Sequence, residues 1–148
     1  MPSSFVFWVV LDPIYEGWLY SIWLDEKSWR KDDVRNVKIA LICTEKLPVP
    51  PIRGGAIQVL IDGVLPYLNE RNDVTVFGIT DPDLDPAEIK NGIEYIRVPQ
   101  ENYVSHIHNA LAQKFADGVS YDLVHVFNRP LDVLTYKLAQ PNSRFVLS

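Results

Sequence analysis

The chain has 148 residues, 47% hydrophobic and 22% charged, with 14 Lys and Arg against 19 Asp and Glu for a net charge of -5. That size and apolar content suit one hydrophobic core and one domain. Scattered cations on an acidic chain exclude the electrostatic footprint of a nucleic-acid binder and leave no docking patch for an anionic membrane surface.

Residues 1–36 carry all four tryptophans, Trp8, Trp18, Trp23 and Trp29, and show no clean period. The apolar run at 5–11 is short, is followed by Asp12 and Pro13, and lacks the basic leader and small-residue cleavage site of a signal peptide. No stretch approaches the roughly 18 apolar residues of a membrane span. We expect 1–36 to be an extension outside the domain, arising from a start codon placed too far upstream, with the native start near Val34. The alternative is an aromatic arm that packs on the domain or at a membrane interface.

From Val37 the pattern becomes orderly. The run Ile39-Ala40-Leu41-Ile42-Cys43 predicts a parallel strand covered on both faces. Cys43, the single cysteine, reads as a small buried apolar residue rather than a reactive thiol, and suits a reducing, cytoplasmic setting. A Pro-rich loop over 44–55 follows. The pair Gly54-Gly55 then opens a helix whose Ile57, Leu60, Ile61, Val64, Leu65 and Leu68 recur at helical spacing, with Pro66 as a kink or weak turn. Residues 73–79 predict a second strand, and a polar loop over 80–92 ends in the turn pair Asn91-Gly92. A third strand follows over 93–98. A second helix spans 103–115 on Val104, Ile107, Leu111 and Phe115, with Gly118 just beyond it. Residues 121–127 give a fourth strand, 131–139 a third helix closed by Pro141, and 144–148 a fifth strand that reads as cut short.

Strands alternating with helices predict an α/β fold: a Rossmann-like, doubly wound parallel sheet over 37–148 with helices on both faces. Ligands of such sheets sit off the carboxyl ends of the strands, which singles out loops 44–55, 80–92 and 128–130. A glycine pair at a helix start permits positive φ and close approach of a phosphate or sugar to backbone N–H groups. A dinucleotide-binding fingerprint would need G-x-G-x-x-G in a tight turn, and a P-loop would need G-x-x-x-x-G-K-[ST]; neither is present. Asp81, Asp83 and Asp85 form D-x-D-x-D, but Pro86 and Gly92 stand where a calcium loop needs Gly and Glu. His106 and His108, two apart on a helix, do not face each other. His125 reads as a core histidine. Asn128 and Arg129 lie in a ligand-facing loop, where a guanidinium suits phosphate or carboxylate.

The stretch TEKLPVPPIRGGAIQ at 44–58 resembles the first loop of family 4 glycosyltransferases with the GT-B fold, in particular the bacterial spore-coat-associated, SA-type branch. The resemblance covers 37–148 and implies the N-terminal, acceptor-side half of that fold. It implies Gly54, Gly55 and Arg53 on the donor-phosphate side, and Glu45, Lys46, Asn128 and Arg129 on the acceptor side of the cleft. Many relatives read His-x-His where this chain has His125-Val126-Phe127, so no catalytic histidine carries over. The intact enzyme would move a sugar from a nucleotide-sugar donor to an acceptor hydroxyl with retention, with neither metal nor cofactor. Donor recognition would lie in a C-terminal domain outside these residues, so this chain is expected to be inactive alone. Two other readings compete: a non-catalytic module that docks on a spore coat, membrane or partner protein, and another Rossmann-like nucleotide-binding protein.

Overall fold

A computed structural model describes Val9–Leu11, Leu19–Ser21 and residues 37–148. The expectations about the four tryptophans and a start near Val34 therefore lie outside the described residues. Strands β1 (Val9–Leu11), β2 (Leu19–Ser21) and β3 (Lys38–Ile42) precede helix α1 (Ala56–Asn69). Strands β4 (Asp73–Ile79), β5 (Ala87–Lys90) and β6 (Ile93–Val98) come next, then α2 (Tyr103–Ala116), β7 (Leu123–Val126), a 3₁₀ turn at Pro130–Asp132, α3 (Val133–Ala139) and β8 (Arg144–Leu147).

The strands form one sheet in the order β2-β1-β8-β7-β3-β4-β6-β5. β8, β7, β3, β4 and β6 are mutually parallel, as the alternating pattern requires. α1 buries Ile61 and Leu65 on one face with Leu41, Val76 and Tyr95. α2 and α3 bury Ile107, Leu111, Val133 and Tyr136 on the other, with Ala40, Phe77 and Phe145. This is the expected Rossmann-like α/β arrangement. Pro66 lies inside α1, as read from the sequence. Among the described residues, no helix is long and apolar enough to cross a membrane.

Two departures have physical causes. Residues 87–90 form an antiparallel edge strand on β6, not a loop. Their side chains are mostly exposed, so no apolar alternation marks them. The hairpin is closed by Asn91 (φ 54) and Gly92 (φ 81), the positive-φ pair that two-residue turns demand. At the far side, β1 pairs antiparallel with β8 and β2 with β1, so part of the aperiodic first segment extends the sheet.

The chain reverses its direction of sheet growth at β3, with β4 and β6 on one side and β7 and β8 on the other. The crevice at the carboxyl ends of β3 and β7 is therefore the topological switch point, the expected ligand position in such a sheet. One buried cation shapes its approaches. Arg97, on β6, is 5% exposed. Its Nε and Nη2 donate to the Val49 carbonyl at 3.3 and 3.0 Å, and its Nη1 donates to the Asp85 carbonyl at 2.6 Å and to Glu88 Oε1 at 2.9 Å. The guanidinium also lies over the Tyr95 ring, 4.8 Å from its centroid. It thus ties the loop after β3 to the loop after β4.

Arg97→Met should leave the buried Val49 carbonyl without a donor, at about 1–3 kcal/mol, with a smaller loss at Asp85, an exposed residue whose carbonyl water can reach. Arg97→Lys should recover only part of the loss, since one ammonium cannot span partners on opposite ends of the guanidinium fork. Denaturant unfolding of both variants measures this; a Met variant as stable as the parent would refute it.

Candidate functional site

The loop after β3 is pinned at its root by three side chains from elsewhere in the fold. Tyr103 Oη donates to the Cys43 carbonyl at 2.5 Å. Gln58, 3% exposed on α1, donates to Thr44 Oγ1 at 3.2 Å and to the Leu47 carbonyl at 3.0 Å. Gln100 Nε2 donates to the Glu45 carbonyl at 2.8 Å. Buried polar groups in such a loop must find partners, and here they are supplied by α1, α2 and the segment between β6 and α2.

This pinning aims Glu45 across the switch point. Its carboxylate meets Arg129 Nη1 at 2.5 Å, and Arg129 Nε in turn donates to Asp132. Arg129 follows Asn128, whose φ of 55 turns the chain as it leaves β7 and whose N–H donates to the Ser148 carbonyl at 2.6 Å. Glu45 and Arg129 form one wall of a cleft of about 330 Å³; Gln100, Asn102, Tyr103, Val104 and Ser105 form the other. Partial burial pushes the Glu45 carboxyl up, but its own backbone N–H, Arg129 and Lys46 outweigh this and hold it below its usual range. Lys46 reaches Glu45 at 3.6 Å from solvent, with a 77% exposed side chain. A second groove, about 510 Å³ between α1 and the start of β6, lies at the amino ends of the strands, away from the switch point.

The sequence-predicted residues thus divide into two groups. Glu45 and Arg129 line the cleft; Asn128 only turns the chain into Arg129, and Lys46 pairs with Glu45 from solvent. Gly54, Gly55 and Arg53 sit farther along the same loop. Gly54 (φ 84) has open space where a Cβ would go, and its N–H donates to the Pro51 carbonyl at 3.0 Å. Gly55, the N-cap of α1 at φ 102 and ψ 127, is enclosed: a Cβ would collide with Gln58 and come within 2.9 Å of Leu47 Cδ1. Gly55 therefore serves packing as well as conformation. Arg53 forks onto Asp81, with Nε to Oδ2 and Nη2 to Oδ1 both at 3.0 Å, and reaches Asp83 Oδ2 at 2.5 Å. Arg53 and the Asp83 backbone N–H hold the Asp81 carboxyl below its usual range. The acidic motif is thus the counterion of Arg53. Among the described residues, no cluster of three or more His, Cys, Asp or Glu is arranged to hold a metal.

Cys43 is 1% exposed, and burial pushes its thiol well up. His125 is 1% exposed, stacked on Phe127 at 3.8 Å between ring centroids, with Nε2 2.8 Å from Ser148 Oγ. Burial pushes the imidazole down to about 3. It is a core histidine. Gln58, Gln100, Asn102, Tyr103 and Ser105 escape a sequence-only search, because their roles arise from contacts across the fold. The usable signal was Gln58, a polar residue one position from Ile57 on the apolar side of the α1 pattern.

No protein-family model matches the chain. Over 112 residues it is 54% identical to a Bacillus subtilis (strain 168) protein named "Putative glycosyltransferase YtcC", an overlap covering 76% of this chain and 26% of that one. Over 112 residues it is 42% identical to "Spore coat protein SA" of the same organism, covering 76% of this chain and 28% of that one. The chain is similar to these two proteins and spans about a quarter of their length. The C-terminal domain (residues 78-226) of PF1911 hydrogenase from Pyrococcus furiosus overlays with a TM-score of 0.48 at 15% identity, over 78% of this chain and 94% of that one; so loose a likeness bears on nothing further.

Two outcomes follow from this geometry. Gly54→Ala should cost about 1–2 kcal/mol, the usual penalty for an L-residue at positive φ. Gly55→Ala and Gly55→Asn should each cost clearly more, since the site is enclosed and its φ,ψ pair lies outside the left-handed region that asparagine tolerates. Equal unfolding free energies for the Gly54 and Gly55 variants would contradict this. His125 supplies a pH dependence. Its folded pKa of about 3 lies below the unfolded value near 6.5, so between those values the unfolded chain binds the extra proton. Stability from this group is complete above about pH 6.5 and lost as pH falls, by about 2 kcal/mol from pH 7 to pH 5. Carboxylates enter only at lower pH. His125→Gln should flatten the pH 7–5 limb in denaturant titrations; an unchanged slope would refute the assignment.

Proposed function

We propose that this chain is part of the acceptor-side, N-terminal half of a family 4 glycosyltransferase with the GT-B fold, of the SA type. The single observation that carries this is the 54% identity over 112 residues to a protein named as a glycosyltransferase. The switch-point cleft supports it, because two of the four residues that the resemblance assigns to the acceptor side, Glu45 and Arg129, line it together. In the proposed reaction a sugar passes from a nucleotide-sugar donor to an acceptor hydroxyl with retention at the anomeric carbon. Gly54, Gly55 and Arg53 face the donor diphosphate, and Glu45, Lys46, Asn128 and Arg129 face the acceptor. The name of the second relative supports a coat-associated role, and the lone buried cysteine suits a cytoplasmic site of synthesis.

One wall of an interdomain cleft leaves most charge on a departing diphosphate unstabilised. Each missing preorganised donor typically costs about 3 kcal/mol in the transition state. The chain alone should therefore release no nucleoside diphosphate from UDP-, GDP-, ADP- or dTDP-sugars.

The decisive experiment substitutes residues 37–148 for the matching portion of the Bacillus subtilis relative and assays nucleoside diphosphate release beside the unmodified relative. A chimera that turns over the same nucleotide sugars supports the proposal. A well-folded but inert chimera beside an active parent would overturn it. Turnover by the 148-residue chain alone would overturn its assignment as half of a site.

A further inference from the structure

We infer that the cleft between Glu45, Arg129 and the start of α2 takes an uncharged polyhydroxyl ligand, a neutral sugar, and discriminates against phosphorylated or carboxylated ones. Its role as acceptor site rests on the function proposed above. Its binding chemistry follows from the cleft alone.

The charges come first. Arg129 is the cation lining the cleft, and it is already engaged by two carboxylates, Glu45 at 2.5 Å and Asp132. Those three side chains sum to a net negative charge. Lys46 adds a cation only at the rim, where its exposed ammonium is screened by solvent. The first turn of α2 contributes a positive end worth about half an elementary charge, which lowers the net negative potential without reversing it. An anion entering here would have to draw Arg129 from two carboxylates and then sit beside Glu45. The Glu45 carboxyl is held in its ionised form, so that repulsion persists at neutral pH.

The hydrogen-bonding inventory points the same way. The cleft offers acceptors and donors side by side: the Glu45 carboxylate, the Arg129 N–H groups, the Ser105 hydroxyl and the amides of Gln100 and Asn102. Asn102 makes no side-chain cap bond to α2, so its amide is not consumed by the helix. A sugar hydroxyl donates and accepts at once, and can bond Glu45 while accepting from a neighbouring N–H. A phosphate or carboxylate brings its own negative charge, and leaves Glu45 facing like charge. Donation from a hydroxyl to a carboxylate is a charge-assisted bond, stronger than a neutral pair. Among the described residues, Val104 is the only aliphatic one on the walls, and these residues form no track for an acyl chain. Its volume of about 330 Å³ lies at the small end of ligand sites, suiting one or a few sugar rings.

The test is an NMR titration of the ¹⁵N-labelled 148-residue chain with glucose, N-acetylglucosamine and maltose, set against glucose 6-phosphate, glucuronate and inorganic phosphate. Expected is a saturable perturbation of the Glu45 and Ser105 amides by at least one neutral sugar, with every anionic probe about tenfold weaker or more. Glu45→Gln keeps the side chain's shape and removes its charge. It should weaken the neutral sugar about tenfold, as loss of one charge-assisted bond implies, and strengthen phosphate as Arg129 is partly released. Circular dichroism establishes that the variant is folded. No saturable neutral-sugar binding up to about 100 mM, an affinity too weak to matter, would overturn the inference. So would tighter binding of any anionic probe, or an unchanged preference in a folded Glu45→Gln chain. An active chimera with an anion-preferring cleft would sink this inference and leave the proposed function standing. Neutral-sugar binding beside an inert chimera would do the reverse.

Discussion

The buried guanidinium of Arg97 is the constraint on which the ligand-facing edge depends. A cation taken out of water is tolerated only where it is paired and hydrogen-bonded. Here the Val49 and Asp85 carbonyls, the Glu88 carboxylate and the Tyr95 ring together meet that demand. Because those acceptors come from three separate segments, satisfying one side chain fixes the positions of two loops and an edge strand at once. The long loop after β3 would otherwise carry proline after proline with few backbone bonds of its own. Its root is held from the opposite direction by Gln58, Gln100 and Tyr103. The loop is thus clamped at both ends by side chains from the regular framework, which is how an irregular segment can present a carboxylate in a definite place.

The same economy appears where the core has to house polar atoms. Gln140 is fully buried between α2, α3 and the start of β7, where it accepts from the Tyr121 N–H and donates to the Leu111 and Val119 carbonyls. Ser143 donates to the Tyr121 carbonyl at 2.5 Å. These bonds tie the loops at the amino edge of the sheet, opposite the cleft. Rigidity at both edges lets Glu45 and Arg129, which lie 84 positions apart in the chain, meet across the switch point.

Most of the framework was legible in the sequence. An unbroken apolar run marked β3, β-branched and aromatic residues marked β4, helical spacing marked α1 and α2, and Asn91-Gly92 marked a tight turn. What escaped was whatever depends on contacts distant in sequence. β5 carries no apolar alternation because its side chains face solvent on an edge. Arg97 reads as an outward-facing strand residue until its register is counted: it shares a face with Ile93 and Tyr95, both buried. The tryptophan-rich start offered no period, so the pairing of β1 with β8 had no signal. At the site, Glu45 and Arg129 were singled out by position and by resemblance, while their pairing, and that of Arg53 with Asp81, appears only when the loops are folded.

Three arginines contact the first loop or its partners, and their surroundings rank how readily each could turn to a ligand. Arg97 has a 1% exposed side chain, and its release would strand the buried Val49 carbonyl. Arg129 is about one-third exposed and shared between two carboxylates. Arg53 is 45% exposed; it forks onto Asp81, whose side chain is 9% exposed, and reaches the 67% exposed Asp83. Of the three, Arg53 has the guanidinium most open to an approaching anion. It stands beside Gly54, whose open flank admits close approach. The physical ranking therefore separates the two ends of one loop: the most exposed of the three guanidiniums beside a bare glycine at the end proposed for the donor diphosphate, and a neutralised cation beside an ionised carboxylate at the end proposed for the acceptor.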